Sequence, residues 1–209
     1  MRKIYIVPNL VTTMNMACGF YSMIASTDRD FTTAAWAIIA AGVFDGLDGR
    51  IARLAKATSD FGVEYDSLSD LVSFGMAPAL LLFMWHLDEF GRLGWLASFL
   101  FMTCAALRLA RFNVSTETVP KGFFQGLPTP GAAGVVATFV IFNFATDLPA
   151  DMETVSFLSL GLAFALATLM VSSVRFPSFK DFNWRSKATF GYLLIGVLAA
   201  ILVATHPEI

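Results

Sequence analysis

Long apolar runs broken by short polar stretches set the frame of this chain. Seven can be marked, over about residues 10–26, 31–54, 61–86, 93–112, 128–146, 153–174 and 187–205. Each is close to the roughly 20 apolar residues that an α-helix needs to cross a bilayer. None alternates apolar and polar positions as a lipid-exposed barrel strand would. The pattern predicts an all-α, polytopic membrane helical bundle. Prolines mark two of its boundaries. Pro8 precedes the first run, and Pro128 and Pro130 open the fifth, where a first helical turn tolerates them.

Composition agrees with the pattern. Of the 209 residues, 56% are hydrophobic and only 14% are charged, whereas soluble domains carry about a quarter charged residues. Seven spans leave no space for a separate soluble domain. Residues 1–209 therefore read as a single integral-membrane domain, with 1–9 (MRKIYIVPN) as a short basic segment at the interface. A net charge of -2 and the lack of a basic face give no footing for nucleic acid. Cys18 and Cys104 both lie in apolar runs and read as small core residues rather than a disulfide or metal pair.

Charge decides the orientation. With the N-terminus in the cytoplasm, 14 Lys and Arg residues divide unevenly: all but Arg29 and Arg92 fall on inner segments. The outer loops carry Asp28, Asp30, Asp88, Glu89, Asp147, Asp151 and Glu153 instead. This is a strong positive-inside bias, and it places the chain in the cell (inner) membrane with its N-terminus inside.

One stretch breaks the apolar pattern at a cost. Residues 45–70 read DGLDGRIARLAKATSDFGVEYDSLSD and join the second run to the third. An unpaired carboxylate in such a segment costs several kcal/mol, so it protonates or acquires a partner. Asp45 and Asp48 are three apart and share a helix face, continued by Gly49 and Ala52, with Arg53 one turn on. Gly62, Asp66 and Asp70 line one face of the next helix at spacings of four. If the two helices pack through these stripes, four carboxylates converge beside three very small residues and one arginine. Hard divalent cations such as Mg2+ or Mn2+ take oxygen ligands of this kind, commonly shared with substrate phosphates. Asp60 and Glu64, off these stripes, read as solvated. The stretch opens toward the cytoplasm in the orientation above. An intramembrane prenyltransferase also holds a diphosphate through aspartates, but on two separate helix pairs. A carboxylate-based cation transporter would place acids in the membrane too, and would commonly show repeated halves, which this chain lacks.

The stretch resembles the CDP-alcohol phosphotransferase signature, D-x2-D-G-x2-A-R-x8-G-x3-D-x3-D, at every specified position: Asp45, Asp48, Gly49, Ala52, Arg53, Gly62, Asp66 and Asp70. Further stretches, PNLVTTMN, SFGMAPALL, LRLARFN, GLPTPGAAG and VSSVRFPSFK, are similar to the bacterial and archaeal phosphatidylserine synthase branch of that family. The resemblance implies a six-helix core, here with one further C-terminal span, and a homodimer. It implies transfer of a phosphatidyl group from CDP-diacylglycerol to L-serine, giving phosphatidylserine and CMP; glycerol 3-phosphate or inositol phosphate are the alternative acceptors. Two divalent cations are implied, bridged by Asp45 and Asp66 and completed by Asp48 and Asp70. Asp70 is also implied as the general base, although a ligand role alone stays open. Gly49, Ala52, Arg53, Ser59 and Gly62, with Asn9 and Thr12 from the first span, are the implied CDP-lipid contacts.

Serine carries a carboxylate, so cations near the acidic stretch are candidates to bind it. Arg108, Arg111 and Asn113 lie at the inner end of the fourth span, and Arg175 and Lys180 follow the sixth. The competing reading is that these are anchors reaching lipid headgroups. The run GLPTPGAAG also reads simply as a proline-started helix whose small residues permit close packing.

Overall fold

A computed structural model describes residues 6–54, 59–114, 123–146 and 152–177. Helices dominate it: α1 (Ile6–Thr27), α2 (Phe31–Leu54), α3 (Asp60–Asp70), α4 (Ala77–Trp85), α5 (Arg92–Val114), α6 (Thr129–Ala145) and α7 (Met152–Val171). A six-residue π-helical segment, Leu71–Met76, joins α3 to α4, and a 3-10 turn, Leu87–Phe90, follows α4. Two three-residue strands, β1 (Phe123–Gln125) and β2 (Arg175–Pro177), pair antiparallel with Phe124 opposite Phe176. The expected all-α bundle is present, with this short strand pair as an unanticipated clip. The seventh expected span, 187–205, lies outside the described residues.

Boundaries follow the apolar runs closely, with informative exceptions. The first helix begins at Ile6, so residues 6–9 continue the span rather than forming part of a separate interfacial segment. Pro8 fits there because a helix's first turn has no intrahelical use for its N–H. The expected third span is one rod, Asp60–Trp85, with an internal change of pitch. Its cause is Pro78, which opens α4. A proline removes an amide and crowds the carbonyl four residues back. The wide turn immediately before it, closed by Ala77 N–H to the Val72 carbonyl, accommodates that loss.

Packing uses small residues, as expected where lipid supplies no hydrophobic drive between helices. Ala34, Ala35, Ile38 and Ala41 bury one face of α2, which packs against α1 and α6. Ala132, Ala133, Val136, Ala137 and Val140 do the same for α6, and Ala163, Leu166, Ala167 and Met170 turn α7 onto α5. Bulky side chains face outward instead: Phe20, Trp36, Trp95, Phe99, Phe142 and Phe157 are all exposed. Three helices, Asp60–Trp85, Arg92–Val114 and Met152–Val171, are long and apolar enough to cross a membrane. The chain is a membrane protein whose helices run alternately up and down, so the α1 start, the α2–α3 junction and the ends of α5 and α7 share one end of the bundle.

Candidate active site

Four acidic side chains lie at that shared end. Asp45 and Asp48 come from α2, and Asp66 and Asp70 from α3 and its junction with the π segment. Asp48 and Asp70 are buried, and Asp45 and Asp66 half-buried. One carboxylate oxygen from each of Asp45, Asp48 and Asp66 falls within 4.8 Å of the others. Asp70 stands one turn farther along, within hydrogen-bonding reach of Asp45. The two facing stripes expected from the sequence therefore meet. Asp60 and Glu64 are exposed, also as expected.

Helix α1 supplies the donors that hold this cluster. Thr12 Oγ1 donates to Asp48 Oδ2 at 3.0 Å, and Asn15 Nδ2 donates to Asp70 Oδ1 at 3.2 Å. In return, Ser69 Oγ donates to the Thr12 carbonyl at 3.0 Å and Ser73 Oγ to the Asn15 carbonyl at 2.9 Å. Gly19 lets the helices come this close: a methyl group there would sit 2.6 Å from the Ser73 Cα. Asn9, at the start of α1, reaches the α3 entrance. Ser59 caps α3 by accepting the Gly62 N–H at 3.0 Å, an ordinary N-cap bond. A side chain at Gly62 would meet Ser59 Oγ at 3.2 Å and Asn9 Oδ1 at 3.8 Å. Asn9, Ser59 and Gly62 thus meet at the start of α3, and Thr12 touches the acidic cluster directly. Gly49, Ala52 and Arg53 occupy the final turns of α2, and their side-chain surroundings lie outside the described residues.

The cluster's donor set is anionic oxygen, which suits a hard divalent cation. Asp66 Oδ1 is also buried with no hydrogen-bond partner among the described residues. Buried polar atoms are nearly always satisfied, so this open valence and the convergent oxygens fit a metal ion. Mutual repulsion among the four carboxylates points the same way.

The arginines of α5, expected together as acceptor ligands, play different parts. Arg108 is buried, 8% exposed, and close enough to Asp70 for their charges to interact. Its Nη1 donates to Thr129 Oγ1 at 3.1 Å, and its Nε has no partner among the described residues. Arg111 instead turns to the end of α7, donating to the carbonyls of Val171 at 3.1 Å and Met170 at 3.2 Å. Those are the carbonyls a helix leaves unpaired at its C-terminus. Gly126, at φ +79, lets the chain before α6 pass this point. Asn113 exchanges hydrogen bonds with Ser67 on α3, the shorter at 3.0 Å. Arg175 begins β2 with its side chain undescribed, and Lys180 lies outside the described residues. Asn15 and Thr129 were missed as site residues. Their signal was a polar group three residues after Thr12 within an apolar span, and a threonine between two prolines.

Residues 5–174 match the model of the CDP-alcohol phosphatidyltransferase family. The chain belongs to this family. Among its relatives is a CDP-diacylglycerol–serine O-phosphatidyltransferase of Helicobacter pylori strain J99, 42% identical over 185 residues, covering 88% of this chain and 77% of the relative. A Methanocaldococcus jannaschii protein of the same name is 34% identical over 181 residues, covering 86% and 78%. An archaetidylserine synthase of Methanothermobacter thermautotrophicus is 35% identical over 172 residues, covering 81% and 69%. Membership removes the prenyltransferase and transporter readings. The facing carboxylates belong to a transferase that works on a CDP-linked alcohol.

Proposed function

We propose that this chain transfers the phosphatidyl group of CDP-diacylglycerol to the hydroxyl of L-serine at the cytoplasmic face of the inner membrane. The observation that carries this reading is the pairing of a convergent acidic cluster with a buried, incompletely bonded arginine beside it. The serine-using relatives support the choice of acceptor.

Asp45, Asp48, Asp66 and Asp70 hold two divalent cations, Mg2+ or Mn2+. Bound there, such cations neutralise the diphosphate and the CMP that leaves. Asn9, Thr12, Gly49, Ala52, Arg53, Ser59 and Gly62 border the CDP moiety, where small residues leave the backbone approachable. Arg108 receives the serine carboxylate as a charge-assisted hydrogen-bond partner, and Asn113, Arg175 and Lys180 are the further candidates for binding it. Asp70, next to Arg108, takes the proton from the serine hydroxyl. The serine oxygen forms its bond to the lipid-linked phosphorus. The bond from that phosphorus to the bridging oxygen breaks, and CMP departs with that oxygen. The active protein is a homodimer.

Purified protein supplied with Mn2+, CDP-diacylglycerol and labelled serine is expected to release CMP and form labelled phosphatidylserine. Release with glycerol 3-phosphate or inositol phosphate, and none with serine, would move the chain to another acceptor. No release with any of the three would refute the proposed reaction.

A further inference from the structure

We infer that Asn15 is a positioning residue for Asp70: its side-chain amide fixes the orientation of the carboxylate that takes the serine proton. The inference rests on the proposed role of Asp70.

Asn15 is fully buried in the middle of α1. Burying an amide inside a membrane span is costly unless its polar atoms are matched. Only half of this one is. Nδ2 reaches Asp70 Oδ1, while Oδ1 has no partner among the described residues. A leucine, with the same branched skeleton though larger, would spare the fold that unmet acceptor. Packing alone therefore does not explain an asparagine here, and what its amide provides is the bond to Asp70.

The surroundings make that bond directional. Asp70 is the last residue of α3, immediately before the π segment Leu71–Met76. A π turn widens the helix and redirects the side chains around it, so Asp70's direction needs an outside reference. Ser69 and Ser73, on either side of Asp70, both tie their hydroxyls to α1 carbonyls, and the second of those carbonyls is Asn15's own. The Gly19 contact closes the same seam. The backbone of Asn15 is thus locked to the segment its side chain serves. Turning the Asp70 carboxylate about its Cβ–Cγ bond would break the amide contact.

Three variants of the full chain in lipid nanodiscs test this: Asn15→Leu, Asn15→Gln and Asp70→Asn. Asn15→Leu is expected to lower kcat roughly 10–100-fold, the usual penalty for losing a partner behind a functional ligand. At saturating Mn2+, KM for serine and for CDP-diacylglycerol should stay within about threefold, because the direct protein contacts to them are untouched. Its Tm should stay within about 3 °C of the parent or rise. Mn2+ affinity, read by EPR without substrates, should weaken, and Asn15→Gln should restore part of kcat. A merely structural asparagine would give the opposite split, with Tm falling and kcat per folded molecule kept. Full kcat in Asn15→Leu, with Asp70→Asn inactive, overturns the positioning role alone. Activity retained in Asp70→Asn overturns the Asp70 reading and the inference with it.

Discussion

The two ends of the bundle each bury polar side chains, and they treat them differently. At the end away from the acids, Ser156 Oγ lies 3.0 Å from His86 Nδ1, 2.8 Å from Glu89 Oε2 and 2.9 Å from the Met152 carbonyl. His86, on the 3-10 turn's N-terminal side, and Ser156, on α7, are both buried. Arg29 adds an ion pair to Asp88 at 3.8 Å. Each hydrogen-bonding contact of this group is closed within the described residues, and the result is a clasp between the α4–α5 turn and α7. At the acidic end, Asp66 Oδ1, Asn15 Oδ1 and Arg108 Nε are buried without partners among the described residues. Ser22 and Ser98, which share that condition, are single hydroxyls toward the other end, on α1 and α5, and belong to neither cluster. A clustered, incompletely satisfied polar network is a poor way to stabilise a bundle. It is a good way to receive a ligand that brings its own charges. The His86–Ser156 cluster is closed within the protein, whereas the acidic one keeps open valences.

The sharpest way to break this contrast is substitution on both sides. Asp66→Asn is expected to cut CMP release about a thousandfold, within the range seen when a positioned carboxylate is lost. Ser156→Ala should leave kcat within about twofold while lowering Tm by roughly 2–4 °C, the effect of about 1 kcal/mol in a chain of this size. Equal losses of activity from the two would dissolve the distinction.

Within the acidic end, the two α5 arginines should separate. Arg108→Ala is expected to raise KM for serine by about 10–100-fold, the value of a hydrogen bond to a charged group. Arg111→Ala exposes the carbonyl end of α7 and should lower Tm by about 3–6 °C. Its effect on serine KM should be much smaller than that of Arg108→Ala, measured on the same preparations.

The smallest effect belongs to His86. Burial pushes its imidazole below the ordinary value of 6.5, outweighing the opposite pull of Glu89 and Asp88. The unfolded chain then binds a proton more readily than the folded one as pH drops, so stability falls with acidification. Thermal melts from pH 7.5 to 5 should show a steeper acid loss in the parent than in His86→Asn, with indistinguishable CMP release at pH 7.5.

Much of this was legible in the sequence because it depends on period and charge. The apolar runs gave helices within a few residues, and the i, i+3 and i, i+4 spacing of Asp45, Asp48, Asp66 and Asp70 gave a shared face. What periodicity cannot see is a change of pitch. The π segment before Pro78 needed the structure, although the proline was its local cause. Neither could the sequence divide Arg108 from Arg111. They are three apart on one helix, and only the positions of Thr129 and the α7 terminus send them to different work. Asn15 escaped because a lone amide in an apolar run carries no spacing of its own until the second helix that faces it is known.

The decisive property of the acidic cluster is whether it takes metal. EPR titration of Mn2+ into metal-free protein in nanodiscs, without substrate, measures this. Two ions per chain are expected for the parent and for Ser156→Ala, with binding greatly weakened in Asp66→Asn. Unchanged binding in Asp66→Asn, or no binding by the parent at millimolar Mn2+, would contradict it.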